Sequence, residues 1–238
     1  MQSKSHTRFA KSGAFTLVEL LTVVGIITLL IALATPTLVD VIRSTRLSSA
    51  GDSLLNRLSL AQQEAVARSK EVEMRFYKYT NANSDRPSES LFYAYQVVET
   101  PSGQDAKAIS EPFYLESGVV FAPEMQLSPL LRTSAVQQRE DLSKQYVFTP
   151  GSGGDGDDVQ YAAIRYYPDG SCRLLNSNDP TATENATNAA LAYTVPPLAT
   201  SFFTLVESQF VGSGKIPPPN YYCIQIDAYT GKARVYRP

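Results

Sequence analysis

The chain has no tryptophan, one histidine and only two cysteines. The histidine, His6, lies at the very start, so a histidine-dependent catalytic triad is excluded from everything that follows it. A zinc site would have to be built from Cys172, Cys223 and carboxylates alone, and neither cysteine has a Cys or His nearby in sequence. In an oxidising compartment Cys172 and Cys223 could close one disulfide; two buried free thiols are the alternative, and spacing does not choose between them. A dominant charge is also missing. The 21 basic and 23 acidic residues leave a formal net charge of -2, so no global basic field calls for nucleic acid. No glycine loop has the form that cradles phosphates, and no serine or aspartate is paired with a general base. The composition gives no support for an enzyme.

What the chain does have is concentrated near its start. From Phe15 to Ala34 the sequence is apolar apart from Glu19 and a few small polar residues. That is about 20 residues, the length a helix needs to cross the hydrocarbon core of a bilayer. Lys4, Arg8 and Lys11 are the only formal charges before Glu19. Taking those three from the 21 basic residues leaves 18 against 23 acidic ones. A basic start ahead of an apolar run keeps the N-terminus cytoplasmic and exports the rest. Three readings compete: a secretory signal cut after Ala34, within the A-x-A-like Ala32-Leu33-Ala34; a permanent single-span anchor; and a leader cut before the apolar run. Glu19 discriminates. An acid inside an apolar span costs roughly 2.5–3.5 kcal/mol on insertion scales and marks a function with a partner, and a signal peptide has no use for one.

The segment Ser12-Gly13-Ala14-Phe15-Thr16-Leu17-Val18-Glu19-Leu20-Leu21 resembles the processing motif of type IV prepilins. The resemblance implies a leader at 1–14, cleavage by a prepilin peptidase before Phe15, methylation of the new amino group, and a pilin-like or pseudopilin subunit of a type IV pilus or type II secretion system. Glu19 then corresponds to the acid that pairs with the amino terminus of a neighbouring subunit during assembly. Pro36 falls where pilins commonly carry a proline that bends the helix; ending the membrane helix is its alternative role. The sequence departs from the family in having Ala14 between Gly13 and Phe15, so the cut falls after Ala14 or after Gly13. The implied partners are the peptidase, sister subunits and the inner membrane, with the body in the periplasm.

After Pro36 the pattern turns amphipathic. Leu47, Ala50, Leu54, Leu58, Ala61 and Ala65 recur at steps of three and four, a helical stripe facing a core. The helix is expected over 15–70, ending near Ser69–Lys70, with a β-rich head over 71–238. Strands are expected at 72–79, 91–100, 113–121, 145–148, 159–167, 171–175, 202–206, 222–226 and 233–236. Tyr167-Pro168-Asp169-Gly170 and Tyr229-Thr230-Gly231 read as hairpin turns. The expected class is α+β: one long N-terminal helix packed on an antiparallel sheet, pilin-like. Two helix segments, at 47–55 and 60–68, and Ile164-Arg165-Tyr166-Tyr167-Pro168-Asp169-Gly170-Ser171 are similar to minor pseudopilins of the GspH/FimT type. The end, from Ile226 to Pro238, is similar to the pilin-like Verru_Chthon cassette protein D family.

Three further patterns have a functional and a plain reading. Asp155, Asp157 and Asp158, in a glycine-rich loop, could offer oxygen ligands to calcium, but EF-hand spacing is missing and a solvated loop is the simpler account. Lys232, Arg234 and Arg237 form a small basic tail. Gly231-Lys232-Ala233-Arg234 partly matches the basic segment through which some FimT-type pilins bind DNA. Three charges give limited, salt-sensitive phosphate affinity, and a charged edge strand that discourages sheet addition is the alternative. Asn185-Ala186-Thr187 has the form of a glycosylation sequon and is read as chance.

Overall fold

A computed structural model describes residues 16–81, 83–100, 106–133, 136–137, 160–175, 193–214 and 216–238, with the backbone alone for a few of them, including 34–38. The chain divides into two compact units, Met1–Ile42 and Arg43–Pro238. The first helix, α1 (Leu17–Arg68), contributes to both.

In the larger unit, α1 is followed by two antiparallel sheets rather than the one expected. The first contains β1 (Val72–Thr80), β2 (Ser90–Glu99), β3 (Lys107–Ala108), β4 (Phe113–Tyr114), β6 (Val136–Gln137), β7 (Gln160–Tyr166), β8 (Cys172–Leu175) and β9 (Tyr193–Thr194). Its central order is β3-β2-β1-β7-β8-β9, with β4 on β2 and β6 on β7. The second contains β5 (Val119–Phe121), β10 (Phe202–Glu207), β11 (Tyr221–Ile226) and β12 (Ala233–Tyr236), in the order β12-β11-β10-β5. A short helix, α2 (Pro129–Thr133), precedes β6. The single strand expected over 113–121 is split: β4 pairs with β2, whereas β5 pairs with β10 in the other sheet. Gly118, at φ 86°, lies in the turn between them, a backbone region favourable only to glycine. The strand expected at 145–148 lies outside the described residues.

One core joins these elements. Leu47, Ala50, Leu54, Leu58, Ala61 and Ala65 of α1 are all buried in it, together with Val72, Met74 and Phe76 of β1, Ala162, Ile164 and Tyr166 of β7, and Tyr222, Ile224 and Ile226 of β11. Phe76 from the first sheet meets Phe121 and Phe203 from the second, with ring centroids 5.3 Å away in each case. Such aromatic pairs contribute about 0.5–1.5 kcal/mol beyond the area they bury. The strands alternate, as the pleat requires: Tyr222, Ile224 and Ile226 point inward while Cys223 and Gln225 do not. In β2 the alternation changes phase. Tyr77 pairs with Ala94 but Lys78 with Phe92, so Tyr93 is an extra residue in the ladder. Tyr95 and Val97 face the main core on one side of this bulge and Phe92 on the other, while Leu91 and Tyr93 join a second cluster with Val120 and Val206.

The polar face of β1 is covered. Glu73 and Arg75 are buried, as are Gln96 of β2 and Arg165 of β7. Arg165 donates from Nε and Nη2 to Glu73 Oε1 at 3.0 and 2.7 Å, and from Nη1 to Glu71 Oε2 at 2.7 Å. Arg75 Nε donates to Glu73 Oε2 at 2.8 Å, and its guanidinium lies over the Tyr161 ring at 4.6 Å. Glu73 and Arg165 are direct cross-strand partners, so the ladder itself puts the opposite charges together. Two glutamates and two arginines balance, which is what permits charge at this depth.

The helix ends where the periodicity does. Ser69 has φ 51°, and the Lys70 amide donates to the Ala65 carbonyl at 3.2 Å, the six-to-one bond of a Schellman cap. An exposed non-glycine residue in that conformation costs about 1 kcal/mol. Replacing Ser69 by Gly is expected to stabilise the chain by about 0.5–1 kcal/mol, read from the urea midpoint at unchanged slope. The Tyr166 hydroxyl is buried in the core without a hydrogen-bond partner among the described residues, and burial holds its pKa well above the ordinary tyrosine value. Tyr166→Phe removes a desolvated polar atom, so the same measurement is expected to show no loss, or a gain of up to about 1 kcal/mol.

Candidate functional site

In the smaller unit the sequence singles out Glu19, and the structure gives it a local task. Thr16 is the residue before the first turn of α1. Its amide and its hydroxyl each donate to Glu19 Oε2 at 3.0 Å, and the Glu19 amide donates back to Thr16 Oγ1 at 3.2 Å. This is a capping box, in which two otherwise unpaired amides at the helix start are satisfied reciprocally. The pattern Thr-x-x-Glu ahead of an apolar run was its signal in the sequence, and the reading of Glu19 as an intersubunit partner passes over it. Oε1 accepts no hydrogen bond among the described residues, so the carboxylate retains one oxygen for a second partner.

The stretch that follows buries little within the chain. From Leu17, 78% exposed, to Leu33, 68% exposed, the large apolar side chains are open to the surroundings. The least exposed of them, Val23, is still 49% exposed. The hydroxyls of Thr22 and Thr28 donate to the carbonyls of Val18 and Val24 at 2.8 Å, which removes them as free polar groups. Glu19 is the only ionisable residue over 17–33. Among the described residues, no helix is long and apolar enough to cross a membrane. The stretch with described side chains, 17–33, is about 25 Å long at 1.5 Å per residue, against about 30 Å of hydrocarbon core. The apolar run of the sequence extends beyond it at both ends, to Phe15 and Ala34. Helical backbone continues through Pro36, so this proline does not end α1. Gly13, Ala14 and Phe15, the residues of the expected cut, lie outside the described residues, as do Asp155, Asp157, Asp158 and the sequon at Asn185.

In the larger unit α1 grips both hairpins named from the sequence. The Gln62 amide donates to the Gly170 carbonyl at 2.8 Å and to the Thr230 carbonyl at 2.6 Å. One side chain thereby holds the β7–β8 turn and the β11–β12 turn, which belong to different sheets. Ala228 in the second turn accepts from the Cys172 amide at 2.8 Å. Gly231, at φ 65°, comes so close to the Gly170 carbonyl that a Cβ there would collide with it.

A second grip lies one helical face away. The Tyr222 ring packs against Gly51, its hydroxyl donates to Asp52 Oδ1 at 2.6 Å, and Arg237 Nη2 donates to the same oxygen at 2.7 Å. The Arg237 guanidinium also stands 4.2 Å from the ring centroid. Arg237 is therefore engaged with α1, and of the three basic residues considered for DNA only Lys232 and Arg234 are exposed without such a clasp. Gly51, a poor helix former, is the place where an aromatic ring meets helix backbone.

The two cysteines are not bonded to each other. Cys172 faces the core from β8, whereas Cys223 lies on the opposite face of β11 from Tyr222 and Ile224, so the pleat directs the two thiols apart. Burial, with Asp227 adding a smaller effect, pushes the Cys172 thiol up to about 12. Among the described residues, no group of three or more His, Cys, Asp or Glu side chains is placed to hold a metal ion. Comparison of the chain with protein-family models, curated proteins and solved structures finds no match.

Gly51→Ala tests the ring contact. Alanine favours a helix by about 0.5–1 kcal/mol, but an added methyl in a filled contact costs about 1–3. The substitution is expected to destabilise the chain in urea unfolding, and to become neutral or stabilising in a Tyr222→Ala background.

Proposed function

We propose that the protein is a non-enzymatic, pilin-like subunit whose N-terminal helix inserts in the inner membrane and then packs among the helices of other subunits in a filament. The observation that carries this reading is the apolar surface over 17–33, exposed around the helix and interrupted by a single acid at its first turn. A helix apolar all round requires lipid or other helices as its surroundings. The prepilin-like motif over 12–21 supports processing by a prepilin peptidase, and the β-rich body would then face the periplasm. No metal or cofactor enters the proposal. A DNA-binding role for the tail is weaker, because Arg237 is committed to Asp52 and Tyr222.

The assembly role of Glu19 now has a structural competitor, the capping box. Two substitutions separate them. Glu19→Gln retains an acceptor that completes a capping box but removes the charge, and Glu19→Ala removes both. Co-expression with a prepilin peptidase, followed by mass spectrometry of the mature N-terminus and recovery of sheared filaments, reads the outcome. A methylated start at Phe15 or Ala14 is expected for all three chains, with at least about tenfold less filament from both variants, the loss appropriate to one desolvated charge pair. Normal filament yield from Glu19→Gln would assign Glu19 to capping alone. A mature start at Thr35 would replace the filament reading with a secreted protein.

A further inference from the structure

One edge of the second sheet is open. β12 pairs with β11 on one side, and among the described residues nothing pairs with it on the other. The register shows which groups that edge presents. The Asp227 amide donates to the Lys232 carbonyl at 2.9 Å, so the alternate pairs that follow, Gln225 with Arg234 and Cys223 with Tyr236, exchange the bonds between β11 and β12. Ala233 and Val235 alternate with them, and their amides and carbonyls face the open side. The pleat sends the side chains of Ala233 and Val235 toward the core and those of Lys232, Arg234 and Tyr236 to the exposed face. That face carries two cations on alternate residues. Neither makes an ion pair or a side-chain hydrogen bond among the described residues. Asp227 is the acid near Arg234, but its carboxylate is engaged in its own turn, accepting from the Tyr229 amide at 3.0 Å.

We infer that β12 is a docking edge for an extended acidic segment of a protein partner, added antiparallel as a fifth strand of this sheet, with one acid opposite Arg234 and a second opposite Lys232. The antiparallel sense continues that of the sheet. The added backbone would bond to Ala233 and Val235. Arg234 is then left in a non-hydrogen-bonded pair, the kind in which facing residues are closest, about 4.5 Å between Cα atoms. Opposite charges across such a pair attract, and like charges repel. Charge on an edge strand discourages sheet addition, and here it does so selectively. It weighs against a basic segment and against β12 of a second copy, and it admits an acidic one. The open backbone groups of Ala233 and Val235 favour a peptide over nucleic acid, because a phosphate chain has no alternating donors and acceptors to pair with them. Membrane insertion and filament assembly do not enter this inference.

The test is an NMR titration of the full chain, in a non-ionic detergent that covers the 17–33 stretch, with the acetylated and amidated hexapeptide Val-Thr-Glu-Thr-Glu-Thr. Saturable shifts over 232–236 are expected. Hydrogen exchange should slow at the Ala233 and Val235 amides and stay unchanged at those of Arg234 and Tyr236, which already bond to β11. Two altered peptides separate strand addition from charge attraction alone. Lysine in place of both glutamates is expected to weaken binding at least about fivefold. Proline in place of the second and fourth residues retains both charges but removes the two amides that would donate to the edge, and is expected to abolish the exchange protection and weaken binding by a similar factor. Arg234→Glu in the chain is expected to weaken the acidic peptide at least about fivefold. Equal affinity for the proline peptide, or no saturable shift with the acidic one, would overturn the inference. So would an oligothymidylate that saturates the same residues more tightly than the acidic peptide, which would assign the patch to nucleic acid.

Discussion

The larger unit depends on one seam: the small-residue face of α1 that both sheets share. Leu47, Leu54 and Leu58 supply apolar volume, while Ala50, Ala61 and Ala65 let strands approach the helix axis. Had the alanines been large, the two sheets could not both reach the helix. Hydrophobic burial along this stripe is non-directional and so does not by itself choose how the sheets are aligned on it. Alignment comes from the polar contacts at its margins, Gln62 on two turn carbonyls and Asp52 on Tyr222 and Arg237. Packing provides the strength and a few hydrogen bonds provide the position.

Charge is handled differently in the two units. In the larger one, Glu73 and Arg165 are directly opposed across the β1–β7 ladder and lie beneath the surface with Arg75 as a further partner. Buried pairs of this kind add little net stability over apolar residues of the same size, but removing one member leaves an uncompensated charge. They therefore act against mispairing: a one-residue slip of β1 against β7 would carry Glu73 and Arg75 to the core side and leave Arg165 without its partner. In the smaller unit Glu19, the one acid over 17–33, is held by its own first turn, with one oxygen to spare.

Much of this was legible in the sequence because it rests on periodicity. The α1 stripe was readable residue by residue, and so were both hairpin turns, since Pro168, Gly170 and Gly231 are required by local backbone geometry. Two sheets in place of one were not, because the decision that β5 leaves β4 and joins β10 is made by partners some 80 residues away, with no local trace. That the polar face of β1 is covered was not legible for a related reason: alternation announces which residues share a face, not whether something covers it. The purpose of Gly51 leaves no local trace, because the Tyr222 ring it meets comes from the far end of the chain. The capping role of Glu19 was present in Thr16-x-x-Glu19.

The arrangement of the two cysteines bears on biogenesis. With Cys172 turned inward, Cys223 outward and no bond between them, no covalent cross-link fastens the two sheets. The body of the protein can reach its fold without an oxidising enzyme, because no disulfide holds it. The Cys172 thiol, held almost wholly protonated at neutral pH, is a poor nucleophile and resists both alkylation and mixed-disulfide formation.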